Sequence, residues 1–211
     1  MHVTVNAAMS VDGKIASRER EQLAISGPSD FDRVERLRAE CDAIMVGVGT
    51  VLSDDPSLTS DDGGPNPIRV VADSRARTPP DARVLDEAAE TVVLVSEAVP
   101  TEHVTTLEGA GASIIEAGEN RVDLAAGLEA LSERGVDRLL VEGGGEVIFS
   151  LFEAGLVDEL SVYVGSLVIG GRDAPTLADG QGFTGDFPAL ELESVDRIDD
   201  GVLLEYAVKN R

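Results

Sequence analysis

Cysteine and the aromatic residues are scarce in this 211-residue chain. A single cysteine, Cys41, cannot form an internal disulfide and excludes a multi-cysteine metal site. The two histidines, His2 and His103, are far apart in sequence, so we predict that no metal is bound. Trp is absent, and two Tyr and five Phe are the other large aromatics. We therefore expect a core built mainly of Val, Leu, Ile and Ala.

Long apolar segments and a targeting signal are lacking as well. No run approaches the roughly 20 apolar residues that a membrane-spanning helix requires. The first ten residues, MHVTVNAAMS, lack the basic region and the long apolar stretch of a secretory signal. We therefore expect a cytoplasmic protein without a membrane partner.

Positive charge is scarce: 17 Lys and Arg stand against 40 Asp and Glu, for a net charge of −23. Such an acidic surface repels nucleic acid and anionic membranes. Lys14 and Lys209 are the only two lysines. This composition is typical of proteins from salt-loving cytoplasms, where salt screens self-repulsion. An acidic mesophilic protein is the alternative, and in both cases most of the acids indicate habitat and not chemistry.

The hydrophobic pattern alternates between strands and helices along most of the chain. β-Branched apolar runs predict covered parallel strands, and helical apolar spacing predicts helices. The order predicts one α/β domain over residues 1–211, with a mostly parallel sheet flanked by helices and antiparallel C-terminal strands. Strands are predicted over residues 2–9, 42–50, 68–74, 91–97, 112–118, 136–142, 159–171 and 201–209, and helices over residues 28–40, 122–135 and 145–155.

The stretch LLVEGGGEVIF, residues 139–149, ends a predicted strand with Glu142 and begins a helix after three glycines. Glycine lets a ligand approach the backbone closely, and a helix N-terminus offers unpaired N–H groups to a phosphate. Glu142 is better explained as an acceptor for a substrate N–H or O–H. The third glycine of G-x-G-x-x-G is missing, so a tight strand-to-helix turn remains the structural alternative.

A similar arrangement occurs in VGVGTVLSDDP, residues 46–56, where an apolar strand runs into glycines and a short helix. Thr50 offers a hydroxyl group, and Asp54 and Asp55 offer acceptors to a ligand. The alternative is structural, because Asp55 before Pro56 is a common turn sequence.

The first predicted helix carries an apolar stripe from Phe31 to Cys41. In projection Arg38 falls within this stripe, whereas Arg33 and Arg36 point elsewhere. An arginine on an inward face needs an anionic partner, because a buried unpaired charge is costly. That partner is either an internal carboxylate or a substrate phosphate, whose shape matches the guanidinium group.

Five segments occur in an order that resembles the reductase of riboflavin biosynthesis, the family of the C-terminal domain of bacterial deaminase-reductases. They are MSVDGKIA, RLRAECDAIMVGVGTVLSDDPSLT, NPIRVVADSRART, LLVEGGGEVIFSLFEAGLVDELSVYV and IGG. The likeness extends from about residue 3 to residue 209 and is greatest to the stand-alone archaeal members. It implies a dihydrofolate-reductase-like fold, a homodimer, and NADPH as the cofactor, with NADH as the alternative.

The resemblance also implies a reaction and its residues. The expected reaction reduces the ribosylamino group of 2,5-diamino-6-(ribosylamino)-4(3H)-pyrimidinone 5′-phosphate to a ribitylamino chain. Glu142 matches a substrate-contacting acid and Lys14 a position near the reacting sugar, and we predict that both are catalytic. From the match of Ser74 to a position near the adenosine end of the cofactor, we infer that Arg75 or Arg77 helps to hold its 2′-phosphate. The cofactor-binding positions are Thr50, Asp54, Ser74, Gly144, Gly145, Glu146, Val147 and Ile148, and the substrate-binding positions are Lys14, Arg38, Leu58 and Glu142.

Some positions depart from the family pattern. Ala24 stands where some bacterial relatives carry a tryptophan, and Gln22 falls where relatives place a polar substrate contact. The loop TSDDGGPNP, residues 59–67, is acidic where a bacterial relative has a substrate-binding arginine. Phosphate binding is therefore expected to depend more on Arg38.

Two alternative functions remain open. One is a dihydrofolate or pteridine reductase on the same fold, which would share NADPH without needing Arg38 for a sugar phosphate. The other is a nucleotide-binding module without catalytic activity. The zinc deaminase signature needs more cysteines than this chain has, so we expect a reductase without an attached deaminase.

Overall fold

The computed structural model describes residues 1–21, 23–60 and 63–209. Gln22 and two acids of the 59–67 loop, Asp61 and Asp62, lie outside the described residues. In chain order the elements are β1 (His2–Ser10), α1 (Pro28–Glu40), β2 (Ala43–Gly47), α2 (Val48–Asp54), β3 (Ile68–Ala72), a 3₁₀ helix (Arg83–Leu85), β4 (Thr91–Val95), α3 (Thr101–Gly109), β5 (Ala112–Glu116), α4 (Leu124–Glu133), β6 (Arg138–Gly143), α5 (Gly145–Glu153), β7 (Glu159–Gly165), β8 (Leu190–Ile198) and β9 (Gly201–Val208).

The chain divides into two compact units. Unit 1 comprises Met1 and residues 38–140, and unit 2 comprises residues 2–37 and 141–211. Strand β6 therefore begins in unit 1 and ends in unit 2. The prediction of one domain over residues 1–211 stays a prediction.

Unit 1 contains four parallel strands in the order β5-β4-β3-β2. Every residue of β2 and β4 is buried. This explains their continuous apolar sequences, because a parallel strand is covered on both faces. Parallel strands share one carboxyl edge, where ligands of open α/β sheets bind. At that edge α2 follows β2 directly, and the loop DSRART, residues 73–78, follows β3.

Unit 2 combines parallel and antiparallel pairing. Strands β1 and β7 are parallel, with Thr4 opposite Glu159. Strand β9 pairs antiparallel with both β7 and β8. With the parallel strands of unit 1, these pairings confirm the predicted α/β fold with a mostly parallel sheet and antiparallel C-terminal strands.

The predicted inward face of α1 is wrong. Phe31 is 57% exposed, and the buried residue of this helix is Asp30. Arg33 turns inward: its side chain is 11% exposed and pairs with Asp30 at 2.7 Å. It also donates to Asn6 Oδ1 at 2.8 Å and to Ser161 Oγ at 3.1 Å. The inward arginine of α1 thus has an internal carboxylate as its partner.

The helix start at Pro28 is confirmed, and its capping group comes from far along the chain. The Asp199 carboxylate accepts from the Ser29 amide at 3.0 Å and from the Asp30 amide at 3.3 Å. One oxygen, Oδ2, accepts both amides, which have no partner within the helix, and Oδ1 accepts from Ser29 Oγ at 2.7 Å.

Three elements, the 3₁₀ helix, α3 and β8, were not predicted from the sequence. Leu107 is the buried residue of α3, so this helix has almost no apolar face. Strand β8 is exposed along most of its length, including Leu190, Leu192 and Val195. In β8 the apolar/polar alternation is limited to residues 190–193, LELE, and α3 has two apolar residues, Val104 and Leu107, so neither pattern is long enough for a firm prediction.

Candidate active site

Lys14 is fixed at both its main chain and its side chain within unit 2. It closes the turn that follows β1, where the Ser10 amide donates to the Lys14 carbonyl at 2.8 Å. The Lys14 amide donates to Ser10 Oγ at 3.0 Å, and Lys14 Nζ donates to the Ala174 carbonyl at 2.8 Å. The ammonium group is therefore held in place by one of its three N–H bonds.

The glycine turn leads from β6 into α5. The Gly143–Gly144 peptide bond is cis, and Gly144 precedes the helix without any side chain capping its N-terminus. Glu146 is exposed, and Gly144 and Val147 are half-buried. The N-cap residue therefore provides no side-chain acceptor for the first turn, and its carbonyl accepts from the Val147 and Ile148 amides at 3.0 and 3.1 Å.

Two of the predicted cofactor residues are more buried than expected. Ile148 is fully buried, so its side chain belongs to the core and a ligand could contact only its main chain. Gly145 is buried, and a Cβ there would clash with the Thr176 carbonyl and the Asp179 amide. This close internal contact is sufficient to explain why residue 145 is glycine. It agrees with the alternative given above, in which the glycines form a tight strand-to-helix turn.

One segment, residues 174–179, contacts both Lys14 and the glycine turn. Lys14 forms a β-bridge with Thr176, and the Asp179 amide donates to the Gly145 carbonyl at 3.0 Å. The Thr176 amide donates to Asp179 Oδ1 at 3.1 Å, which shapes the segment into a turn. Sequence analysis assigned no role to this segment, and its polar residues carry no recognisable motif.

Glu142 comes just before the glycine turn. It is the fifth residue of β6 and is half-buried, between the buried residues Val141 and Gly143. The side chain therefore leaves the strand immediately before the turn, in the same unit as Lys14.

In unit 1 the structure brings together Arg38 and the loop that carries Leu58. Arg38 Nη1 donates to the Thr59 carbonyl at 3.2 Å. Leu58 is 2% exposed and has a φ of 50°, a left-handed conformation that a non-glycine residue adopts only when its surroundings impose it. The predicted substrate residues of unit 1 thus lie next to each other.

A buried arginine, Arg69, anchors the start of this loop. Its guanidinium is fully buried and donates to Asp86 Oδ1 at 2.8 Å and to the Ser57 carbonyl at 3.4 Å. The hydrogen bond from Arg69, followed by one from the Ala88 amide, lowers the pKa of Asp86. The carboxylate of Asp86 is therefore favoured as the partner of the buried cation.

Thr50 and Asp54 both lie in α2, four residues apart, and therefore on one face of the helix. Thr50 is half-buried and Asp54 is exposed. Asp55 ends the helix in a left-handed conformation, and its Oδ1 accepts from the Arg83 amide at 2.8 Å. The structural alternative explains Asp55, and Thr50 and Asp54 remain the candidates for ligand binding here.

Ser74 lies in a loop that a buried carboxylate organises. Asp73 is fully buried and accepts from the Thr78 amide at 2.7 Å and from Thr78 Oγ1 at 2.9 Å. Ser74 Oγ accepts from the Val122 amide at 2.9 Å. Arg75 and Arg77 are exposed in the same loop, and Arg77 Nε lies 3.8 Å from Asp73 Oδ1.

Metal ligands and membrane-spanning helices are two further features that bear on function. Among these residues, no group of three or more His, Cys, Asp or Glu side chains could hold a metal ion. Within the same residues, no helix has the length and apolar character needed to cross a membrane.

The sheet and the polar groups at its strand ends define an α/β protein of the dihydrofolate-reductase-like class. Its fold is similar to that of dihydrofolate reductase from Enterococcus faecalis, with a TM-score of 0.54 at 14% identity over 99% of this chain and 97% of that one. A family model described as the RibD C-terminal domain matches residues 1–204, and the chain belongs to that family.

Two relatives carry the name 2,5-diamino-6-ribosylamino-4(3H)-pyrimidinone 5′-phosphate reductase. The protein from Archaeoglobus fulgidus is 48% identical over 95% of this chain and 94% of its own length. The protein from Methanothermobacter thermautotrophicus is 48% identical over 99% of this chain and 98% of its own length. A solved deaminase/reductase from Thermotoga maritima matches 99% of this chain and 56% of its own, with a TM-score of 0.80 and 26% identity.

Proposed function

We propose that this protein reduces 2,5-diamino-6-(ribosylamino)-4(3H)-pyrimidinone 5′-phosphate to its ribitylamino product in riboflavin biosynthesis, with NADPH as the reductant. The main support is that Lys14 and the glycine turn are held by the same segment, residues 174–179. The relatives of 48% identity support the choice of substrate, because both are named for this reaction.

The residues present fit a dinucleotide cofactor. The N-terminus of α5 presents the main-chain N–H groups of its first residues, Gly145 and Glu146, to a diphosphate, whereas the Val147 and Ile148 amides donate to the Gly144 carbonyl at 3.0 and 3.1 Å. The Ser74 hydroxyl accepts a hydrogen bond but donates none to the described residues, so its proton is available to a ligand. Thr50 and Asp54 would contact the cofactor from α2.

Arg75 and Arg77 favour NADPH over NADH. Both arginines are exposed beside Ser74, in a loop that Asp73 holds rigidly. A guanidinium binds a phosphate through paired N–H groups, and NADH has no 2′-phosphate to bind. We expect the double variant Arg75→Ala/Arg77→Ala to raise KM for NADPH and to leave KM for NADH unchanged. Arg134→Ala, at an exposed arginine beyond α4, is the matched control.

In the proposed reaction a bound NADPH supplies the hydride that reduces C1′ of the sugar. The sugar ring must open, and its ring oxygen then requires a proton. Lys14 donates that proton or stabilises the negative charge that develops on the oxygen. Glu142 accepts hydrogen bonds from the substrate and orients it. Arg38 binds the 5′-phosphate, and Leu58 shapes the pocket wall.

The assembly and setting of the protein are part of the proposal. The exposed apolar side chains of β8 support a homodimer, because an uncovered edge strand tends to pair with another chain. The net charge of −23 supports an archaeal, halophilic source and a cytoplasm rich in salt. Light scattering measures the mass of the assembly, and thermal unfolding in increasing KCl measures its need for salt.

The deciding experiment measures NADPH oxidation at high salt with the diamino-ribosylamino-pyrimidine phosphate. We expect turnover and a product that is heavier by two hydrogens. Dihydrofolate is the matched alternative substrate, and its exclusive reduction would favour a dihydrofolate reductase. Tight binding of NADPH without turnover of either compound would favour a nucleotide-binding module.

A further inference from the structure

Asp12 joins two segments of unit 2 that are far apart in sequence. Its Oδ1 accepts from Ser10 Oγ at 2.6 Å and from the Ile169 amide at 3.1 Å. Its Oδ2 accepts from the Gly170 amide at 2.8 Å. One exposed carboxylate thus binds the turn after β1 to the glycine-containing turn after β7.

Both segments continue to Lys14. On the first side, Ser10 donates its hydroxyl proton to Asp12 and accepts from the Lys14 amide at 3.0 Å. On the second side, the chain from Gly170 leads within four residues to Ala174, whose carbonyl accepts from Lys14 Nζ at 2.8 Å. Asp12 therefore sets the position of the Lys14 main chain and of the carbonyl that binds its ammonium group.

We propose that Asp12 is a positioning residue for Lys14, holding the ammonium group where it can donate a proton. The inference rests on the proposed function, in which Lys14 is the proton donor. Proton transfer is sensitive to placement, and an error of about 1 Å can cost about 100-fold in rate. Asp12 itself contacts Ser10 and two main-chain amides, so its effect on catalysis passes through Lys14.

In these three hydrogen bonds both side-chain oxygens of Asp12 act as acceptors, and an ionised carboxylate has two such oxygens. The hydroxyl of Ser10, followed by the Ile169 amide, lowers the pKa of Asp12 to about 2, so the group is ionised at neutral pH. Asparagine has nearly the same shape but offers one oxygen and an N–H₂ group. In Asp12→Asn the side-chain N–H₂ group replaces one of the two oxygens. It then faces either the Gly170 amide or the donors Ser10 Oγ and Ile169 N, and two donors cannot form a hydrogen bond with each other.

The test is a double-mutant cycle with Asp12→Asn, Lys14→Ala and the double variant. We expect Asp12→Asn alone to lower kcat by about 10- to 100-fold and to leave KM for NADPH unchanged. In the Lys14→Ala background the same substitution should have no further effect on kcat, because the group that it positions is gone. Independent effects that multiply would overturn the inference.

Asp42→Asn is the matched control for loss of a structural carboxylate. Asp42 Oδ2 accepts from the Asp137 amide at 2.9 Å and from the Arg138 amide at 2.8 Å, which is the same type of link within unit 1. We expect this variant to lose a similar amount of thermal stability and to keep its kcat. A fall in kcat equal to that of Asp12→Asn would point to general destabilisation and against positioning.

A second readout does not require turnover. The chain has two lysines, so labelling with an amine-selective reagent and peptide mass spectrometry compares Lys14 directly with Lys209. We expect Asp12→Asn to raise the labelling of Lys14 relative to Lys209, and Asp42→Asn to leave the ratio unchanged. An unchanged ratio in Asp12→Asn contradicts the inference. If the wild-type protein lacks reductase activity, the proposed function fails, and the ratio still decides whether Asp12 holds Lys14.

Discussion

The amide of Asp179 donates to the carbonyl of Gly145 at 3.0 Å, and this bond joins a loop after β7 to the first residue of α5. The contact is close because residue 145 has no side chain. The start of the helix is therefore shaped by the protein itself, and a ligand at this turn would meet a backbone that is already fixed.

The close packing at Gly145 predicts a loss of stability in Gly145→Ala. The new methyl group would press on main-chain atoms of Thr176 and Asp179, which cannot move away as a flexible side chain could. We expect a loss of about 1–3 kcal/mol in the free energy of unfolding, measured with denaturant.

Gly49→Ala is the matched control. Gly49 lies in α2, and nothing occupies the position of an added Cβ within 4 Å. Alanine favours a helix more than glycine does, so we expect a gain of about 0.4–1 kcal/mol. Equal losses at the two positions would contradict the packing explanation for Gly145.

Removal of the proposed proton donor should mainly affect turnover. We expect Lys14→Ala to lower kcat by about 100-fold or more, as is typical of a lost general acid. Lys209→Ala is the control, because that lysine is paired with Glu191 at 3.4 Å on the surface. Steady-state kinetics of NADPH oxidation decide, and an unaltered kcat in Lys14→Ala would remove Lys14 from the mechanism.

Removal of the proposed phosphate ligand should mainly affect binding. Hydrogen bonds to a charged group contribute about 1.5–3 kcal/mol, so we expect Arg38→Ala to raise KM for the phosphorylated substrate by about 10- to 100-fold. Arg36→Ala on the same helix is exposed and should leave KM unchanged. With a dephosphorylated substrate, wild type and Arg38→Ala should have the same KM. A KM that is still higher in Arg38→Ala would show that Arg38 does not act by binding the phosphate.

The lowered pKa of Asp12 predicts a pH dependence of stability. Its folded pKa of about 2 lies below the ordinary value of 3.8, so the ionised carboxylate stabilises the fold at pH values above 3.8. This contribution declines as the pH falls from about 4 towards 2. We expect the stability difference between wild type and Asp12→Asn to be constant from pH 5 upwards and to shrink across that window. Denaturant unfolding at several pH values tests this, and a difference that remains constant down to pH 2 would contradict it.

The sequence predicts the fold well where burial imposes periodicity. The covered strands β2, β3 and β4 and the amphipathic helices α4 and α5 carry strong apolar patterns, and each is present. The polar helix α3 lacks such a pattern, and in the exposed strand β8 it is limited to residues 190–193. Strand β8 is held by antiparallel pairing with the next strand, β9, and main-chain pairing of this kind does not require a buried apolar face.

The candidate site could be predicted in part. The resemblance located Lys14, and the structure adds the carbonyl of Ala174 that holds it, 160 residues away. The projection of α1 assumed that Phe31 is buried and that Arg33 points elsewhere, and both assumptions are wrong. Arg33 turns inward instead, towards polar partners on β1 and β7 that no helical wheel contains.

The split of unit 2 into residues 2–37 and 141–211 has a consequence for biosynthesis. A nascent chain that has reached residue 140 contains all of unit 1, whereas β1 still lacks the partner with which Thr4 pairs, Glu159. Closing so long an intervening segment is slow compared with forming local structure. Strand β1 therefore waits for β7, which is made much later, and during translation the unpaired edge of β1 is exposed to other chains or to chaperones.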